Sequence, residues 1–325
     1  MSIIDFHNHY YPPAYLEALR SGSSVVEVTI GGDGNPRIYY PGDYNICVQG
    51  HRDIDYRENV LRNLGVDTQV LTLTTPGTHV EAPATALKFA TLVNDAFAEI
   101  VQARKGRFLA LATLPLNDPA ASAQELERGC RVLGFRGAML FSNVNGEGLD
   151  QERFWPIYET ANDLGAVLYI HPTHPVGVEA MQDFWLMPLV GFLMDTTLAA
   201  AKIVFSGIPE RFPRIRWVLA HLGGAVPYLA ERLDRGFEAF RECRTHLRRR
   251  PSQYLREFYY DAVNFDPHAL KLAMAVAGVD HILAGSDYPH QIGSIPKMLE
   301  TIRQLDVSET DKAAILSGNA ARLLA

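Results

Sequence analysis

The chain has 325 residues, 47% of them hydrophobic and 21% charged, with a formal net charge of −7. This is a globular composition that supports a sizeable core, and its acidic balance argues against nucleic acid or an anionic membrane as the main partner. Three widely spaced cysteines (Cys47, Cys130, Cys243) make neither a disulfide framework nor a thiolate metal motif. No secretory leader and no apolar run of membrane-spanning length is visible, so the expectation is a soluble cytoplasmic protein.

The first β-rich run is "SIIDFHNHY" at 2–10, followed by an insertion at 11–60. Within it, "VVEVTIGGDGNPRIYYPG" places two β-rich stretches around a Gly/Asp/Asn/Pro turn and predicts a hairpin. The second run, "VDTQVLTLT" (66–74), leads into the helical period of "APATALKFATLVNDAFAEIVQARK". "RFLALATLPL" (107–116) is followed by "DPAASAQELERGCRVL", whose Asp-Pro start suits an N-cap and first helical position. "GFRGAMLFS" (134–142) precedes "ERFWPIYETANDLG", and "AVLYIHPTH" (166–174) precedes an insertion at 175–200 rich in Trp, Phe and Met. "IRWVLAHLG" (215–223), "FYYDAV" (258–263) and "HILAGSDYP" (281–289) complete eight runs, with helical "PYLAERLDRGFEAF", "PHALKLAMAVAG" and "IPKMLETIRQL" after them. The basic run "RECRTHLRRR" at 241–250 reads as a solvated helix end.

Eight apolar strands alternating with helices predict parallel pairing and a (β/α)8 TIM barrel, an α/β fold, as one domain over 1–325. An open doubly wound sheet is the alternative, but no glycine-rich phosphate loop follows the first strand. Both insertions follow strand C-terminal ends, where barrel enzymes build their sites. They read as a small β-hairpin cap after strand one and a helical lid after strand five.

Polar residues collect at the same ends: His7 and His9 on strand one, His171 on strand five, His221 on strand six and Asp287 on strand eight. Side chains alternate along a strand, so His7 and His9 share a face. Imidazoles plus a carboxylate are a donor set for one borderline divalent metal, with His7, His9, His171 and Asp287 as ligands. His221, before two glycines, is the candidate general acid/base. A fifth-ligand role for it would imply two metals, and then a bridging carboxylate or modified lysine; no run ends in Lys. Asp5 is a candidate to hold an imidazole N–H from below.

"IDFHNHYYPP", "YIHPTHP", "ERFPRIRWVLAHLGGAVPYLAERLDRGF", "HILAGSDYPH" and "SGNAARLL", in this order, resemble the amidohydrolase superfamily. Within it they resemble the branch of aminocarboxymuconate-semialdehyde and γ-resorcylate decarboxylases. The resemblance implies a single zinc, or manganese, on His7, His9, His171 and Asp287, with His221 as acid/base beside it and Asp287 in the chemistry. It also implies non-oxidative loss of CO₂ from an aromatic or muconate-like acid, in an enzyme that is often a dimer or tetramer. One departure stands out. The branch carries an arginine before the second strand to grip a substrate carboxylate, and "YPGDYNICVQGHRDID" lacks one at that place, Arg52 coming a few residues later. His51, Arg52, His174, Trp185 and His290 are candidates for contact with a small-molecule substrate. The missing arginine keeps a metal-dependent hydrolase (C–C, lactone or amide bond) open as the alternative. A non-enzymatic scaffold would have no use for all five site residues.

Overall fold

Each of the eight runs forms a strand in the computed structural model of the chain, which describes residues 2–22, 24–40 and 43–325. The strands are Ile4–His9, Thr68–Thr72, Phe108–Ala110 continuing as Ala112–Thr113, Gly137–Phe141, Val167–His171, Arg216–Leu219, Tyr259–Asp261 and Ile282–Leu283. Every consecutive pair is parallel. The third strand bends at Leu111, so that its first half pairs with strand two and its second half with strand four. The ring closes between strands eight and one. Phe6 N–H donates to Ala284 O, Asp287 N–H to His7 O and His9 N–H to Tyr288 O, at 2.8, 2.8 and 2.9 Å. Strands four and five are buried at every position, as parallel strands covered on both faces must be.

The helices form where period and caps place them. Pro119 opens Pro119–Arg131 with Asp118 accepting from Ala121 N–H, and Pro267 opens Pro267–Ala277 with Asp266 accepting from His268 and Ala269 N–H.

Four regions depart from expectation. The cap is a three-stranded antiparallel sheet, Glu27–Ile30, Pro36–Tyr40 and Asp43–Ile46, rather than a hairpin. The third strand is only four residues of mixed polarity, too short for alternation to reveal; Pro41 and Gly42 before it lie outside the described residues. Strands six and eight stop at Leu219 and Leu283, well short of 223 and 289, so His221 and Asp287 stand on loops beyond them. The basic run is a connection between helices Val226–Ala239 and Pro251–Leu255, and its arginines pair locally: Arg248 with Glu210, Arg249 with Glu257, Arg250 with Glu238. Finally, Met187–Phe205, the lid helix, is long and apolar enough to cross a membrane by length and composition, at mean hydropathy 1.5, although 44% of it is buried against the fold. Asp195 and Lys202 interrupt its apolar run, which is why the sequence shows no uninterrupted stretch.

Candidate metal centre

His7 and His9 point together into the barrel, with their Nε2 atoms 3.1 Å apart. Asp287 Oδ1 lies 3.3 Å from each of them, and His171 reaches in from strand five with its ring 5.2 Å from His7 and 4.7 Å from His9. One ligand atom from each of these four buried residues falls within 4.8 Å of all the others.

The surrounding hydrogen bonds decide what these rings present. His7 Nδ1 donates to Asp261 Oδ2 at 2.8 Å, and His171 Nδ1 donates to the Pro172 carbonyl at 2.8 Å. Thr72 spends its hydroxyl proton on Asn8 O at 2.7 Å, so it accepts from His9 Nδ1 at 3.2 Å. With all three Nδ1 atoms used as donors, each ring in its neutral form carries its lone pair on Nε2. Among the described residues, His171 Nε2 and Asp287 Oδ1 are buried without a hydrogen-bond partner. Three converging lone pairs and a carboxylate repel one another unless a positive charge lies among them. The donor set fits one divalent cation.

Protons are the other way to supply that charge. Burial works against a charged His7, but Asp261 and Asp287 outweigh it and hold its pKa up to about 10. His9 is pushed down to about 3, by burial first and then by its neighbours His7 and His290. Asp287 stays well below the usual carboxylate range because the His7 and His9 rings outweigh its burial. At neutral pH the cluster therefore holds a proton on His7 that an entering cation must displace. The loaded form binds fewer protons, so rising pH favours it, and metal affinity should gain about tenfold per pH unit between roughly pH 7 and 9. Chelator competition across that range checks this; a flat profile would show that no proton is displaced.

His221 stands beside the cluster rather than in it. Its ring is 4.9 Å from His7, its Nε2 is 4.0 Å from Asp287 Oδ2, and its Nδ1 is buried without a partner. Burial, then the charge on His7, lowers it to about 4, so the ring is neutral at neutral pH. His221 and Asp287 both have left-handed backbones, φ 51° and 56°, an uncommon conformation for such residues and one concentrated at functional sites. The second glycine after His221 serves the lid. A Cβ on Gly224 would stand 2.1 Å from Leu193 O, so only glycine lets the lid helix close against this loop.

Two residues escaped the sequence reading. Asp261, on strand seven, is the carboxylate that orients His7; it also accepts from Tyr169 Oη at 2.9 Å and Val263 N–H at 3.0 Å. Asp5, the expected holder of an imidazole, instead binds Gln69 Nε2 and Ser286 N–H and Oγ, tying strand one to its two neighbours. The sequence signal for Asp261 was a lone carboxylate inside "FYYDAV". Its replacement by Asn removes the charge behind His7 and should weaken metal binding by roughly 10–100-fold; unchanged affinity in chelator competition would refute that role. The second is Arg57. It is fully buried beneath strand one and donates to Gly50 O, Asn8 Oδ1, Gln69 Oε1 and His9 O, so it faces the barrel wall.

The remaining candidates divide. His290 packs on His9 with ring centroids 5.0 Å apart, and His51 packs on His290 at 4.9 Å. Arg52 turns away to the cap and donates to Asn35 Oδ1 at 3.0 Å. His174 stands near Asp195 of the lid helix, and Trp185, 55% exposed, meets Tyr44 of the cap at 5.7 Å. The structure thus brings His51 and His290 to the cluster and leaves Arg52, His174 and Trp185 outside it. A cavity of about 870 Å³ lies elsewhere, lined by Trp155, Lys202, Arg211, His246 and Arg248; size does not mark the chemistry here.

The sequence profile of the family described as Amidohydrolase matches residues 4–325. Over 276 residues, 84% of this chain and 76% of the relative, the sequence is 35% identical to the 2-amino-3-carboxymuconate-6-semialdehyde decarboxylase of Dictyostelium discoideum. The fold matches the crystal structure of 5-carboxyvanillate decarboxylase from Sphingomonas paucimobilis with a TM-score of 0.88 at 28% identity, covering 99% of this chain and 98% of that one. It also matches a dihydroxybenzoic acid decarboxylase from Polaromonas sp., solved with bound manganese and the inhibitor 2-nitroresorcinol. That match has a TM-score of 0.83 at 25% identity and covers 99% and 96% of the two chains.

Proposed function

The chain belongs to the amidohydrolase family, and from that premise we propose that its barrel mouth carries out metal-dependent, non-oxidative decarboxylation of an aromatic or muconate-like carboxylic acid. The observation that carries this reading is the convergence of three Nε2 lone pairs and Asp287 on one point, in a chain whose relatives are named decarboxylases. His7, His9, His171 and Asp287 would hold the metal, with zinc as our first choice and manganese, present in the Polaromonas structure, as the other. When bound, a divalent cation supplies a Lewis acid that orients carboxylate oxygens and offsets developing negative charge.

The chain's own residues do the rest. His221 Nε2 stands 4.0 Å from Asp287 Oδ2, at the edge of the cluster, where it would carry a proton to a substrate held there. The proton adds to the carbon that bears the carboxylate. The electron pair of the breaking C–C bond then stays with that carbon, and CO₂ leaves. Burial disfavours the protonated ring, so a proton that His221 takes up is delivered readily. The lid, pinned through Gly224 and meeting the cap at Trp185 and Tyr44, keeps water from the site.

The hydrolase reading uses the same residues with water as nucleophile, and the relatives named above favour the lyase. Incubation in H₂¹⁸O separates the two. CO₂ release without solvent oxygen in the organic product supports decarboxylation; ¹⁸O in an acid product with no CO₂ release would overturn it.

The proposal includes a soluble cytoplasmic enzyme that acts as a homo-oligomer, dimer or tetramer. Val176, Phe184, Leu189, Val190, Met194 and Leu198 form an exposed apolar lid surface that supports association. A monomer in sedimentation at micromolar concentration would count against the oligomer.

A further inference from the structure

Asp195 stands on the lid helix, 5% exposed and with no ion-pair partner among the described residues. A buried carboxylate must be held by hydrogen-bond donors, and those donors show what it serves. Its Oδ2 accepts from Ser142 Oγ and, at 2.8 Å, from Asn143 Nδ2, both just beyond the end of strand four. Ser142 Oγ in turn accepts from Thr173 N–H at 3.2 Å. The carbonyl of that same peptide group, Pro172 O, is the acceptor that holds His171 Nδ1 at 2.8 Å. Asn143 Nδ2 adds a strut to His174 O, on the same loop, at 2.9 Å. A chain of bonds thus runs from the metal ligand His171 through one peptide plane and one hydroxyl to a carboxylate on the lid.

Each link sets the next. A hydroxyl rotates to suit its partners, and giving its proton to Asp195 leaves the Ser142 lone pairs for Thr173 N–H. The peptide is planar, so fixing its N–H also fixes the carbonyl that faces His171. Hydrogen bonds in a chain polarise one another. The charge on Asp195 therefore makes Pro172 O a stronger acceptor and His171 Nε2 a better ligand. Asp261 does this for His7 directly; Asp195 is placed to do it for His171 at a distance. The other side of the helix serves a different loop. Thr197 lies two residues on, turned by about 200° around the helix axis. It accepts from Ala225 N–H at 2.8 Å, in the loop that carries His221.

We propose that Asp195 is a positioning residue for the metal ligand His171, acting through Ser142 and the Pro172–Thr173 peptide, so that the seated lid helix secures the cation without ligating it. The proposal rests on the metal-centre reading.

The test reads release of metal, not turnover. The manganese-loaded protein is mixed with excess EDTA and the loss of manganese is timed. Asp195→Ala should release it about tenfold or more faster than the natural sequence does. Ser142→Ala should do the same. The double variant should be no more than about threefold faster than either single one, because both residues act in one path. Thr197→Val loosens the same helix from the other loop and should stay within about threefold of the natural rate. Natural release rates in both Asp195→Ala and Ser142→Ala, effects that multiply in the double variant, or equal acceleration by Thr197→Val overturn the proposal. If Asp195→Ala does not fold, Ser142→Ala against Thr197→Val decides. A natural protein that takes up neither manganese nor zinc would instead defeat the metal-centre reading, and this proposal with it.

Discussion

His7→Ala and Asp287→Ala should each leave the purified protein with less than about a tenth of an equivalent of zinc or manganese, and without measurable turnover. Each substitution removes one of four donors whose ligand atoms all lie within 4.8 Å of one another. Asp287 is the only carboxylate among the four, so its loss leaves three neutral imidazoles to offset a divalent charge. The scaffold does not depend on the His7 side chain, and at residue 287, where φ is 56° and Ala is strained, the fold is checked together with the metal. The seam between strands eight and one is held by backbone bonds and by Asp5 with Ser286, and Asp261 keeps Tyr169 and Val263 as partners when His7 is gone. Metal analysis beside circular dichroism checks this. A folded variant that retains a full equivalent of metal would remove that residue from the ligand set.

His221 should behave in the opposite way. His221→Asn is expected to keep its metal and to lose about 10²–10⁴-fold in turnover, the range over which a positioned proton carrier acts. Asparagine is the informative replacement because residue 221 has φ 51°, where Asn is tolerated and Ala is strained. The ring is 4.9 Å from His7 but is not one of the four residues that share a point, so the cation should survive its loss. Loss of metal from His221→Asn would make it a ligand and would end its assignment as the proton carrier.

The contrast between these residues shows what could be read before folding. The pair His7 and His9 was legible because a strand alternates its side chains, and that period is local. The barrel was legible because eight apolar runs alternated with helical stretches, and parallel closure follows from that order. His171 follows as the polar end of a fully buried strand. The cap's third strand was not legible, since four residues of mixed polarity carry no period. Nor were the true ends of strands six and eight: "VLAHLG" and "ILAGSDYP" continue as apolar text, while the backbone turns left-handed at His221 and Asp287.

Asp261 and Asp5 mark the boundary most sharply. Asp5 is close to His7 in sequence and on its face, yet Asp261, 254 residues away, holds the imidazole. Only barrel closure brings strand seven's carboxylate under strand one and gives Asp5 to Ser286 instead. Arg57 and Arg52 divide in the same way: both lie in one cap segment, and packing sends one beneath the barrel wall and the other to Asn35. By itself the sequence determined the barrel and pointed to the four candidate ligands and a candidate proton carrier beside them, because each rests on a local period or on the end of a run. Only the tertiary structure decided which nitrogen each histidine presents, which carboxylate stands behind His7, and that His290 packs against His9 with His51 behind it. Those are contacts between residues distant in the chain, and hydrogen-bond geometry and burial, which set tautomer and charge, exist only once the barrel has closed.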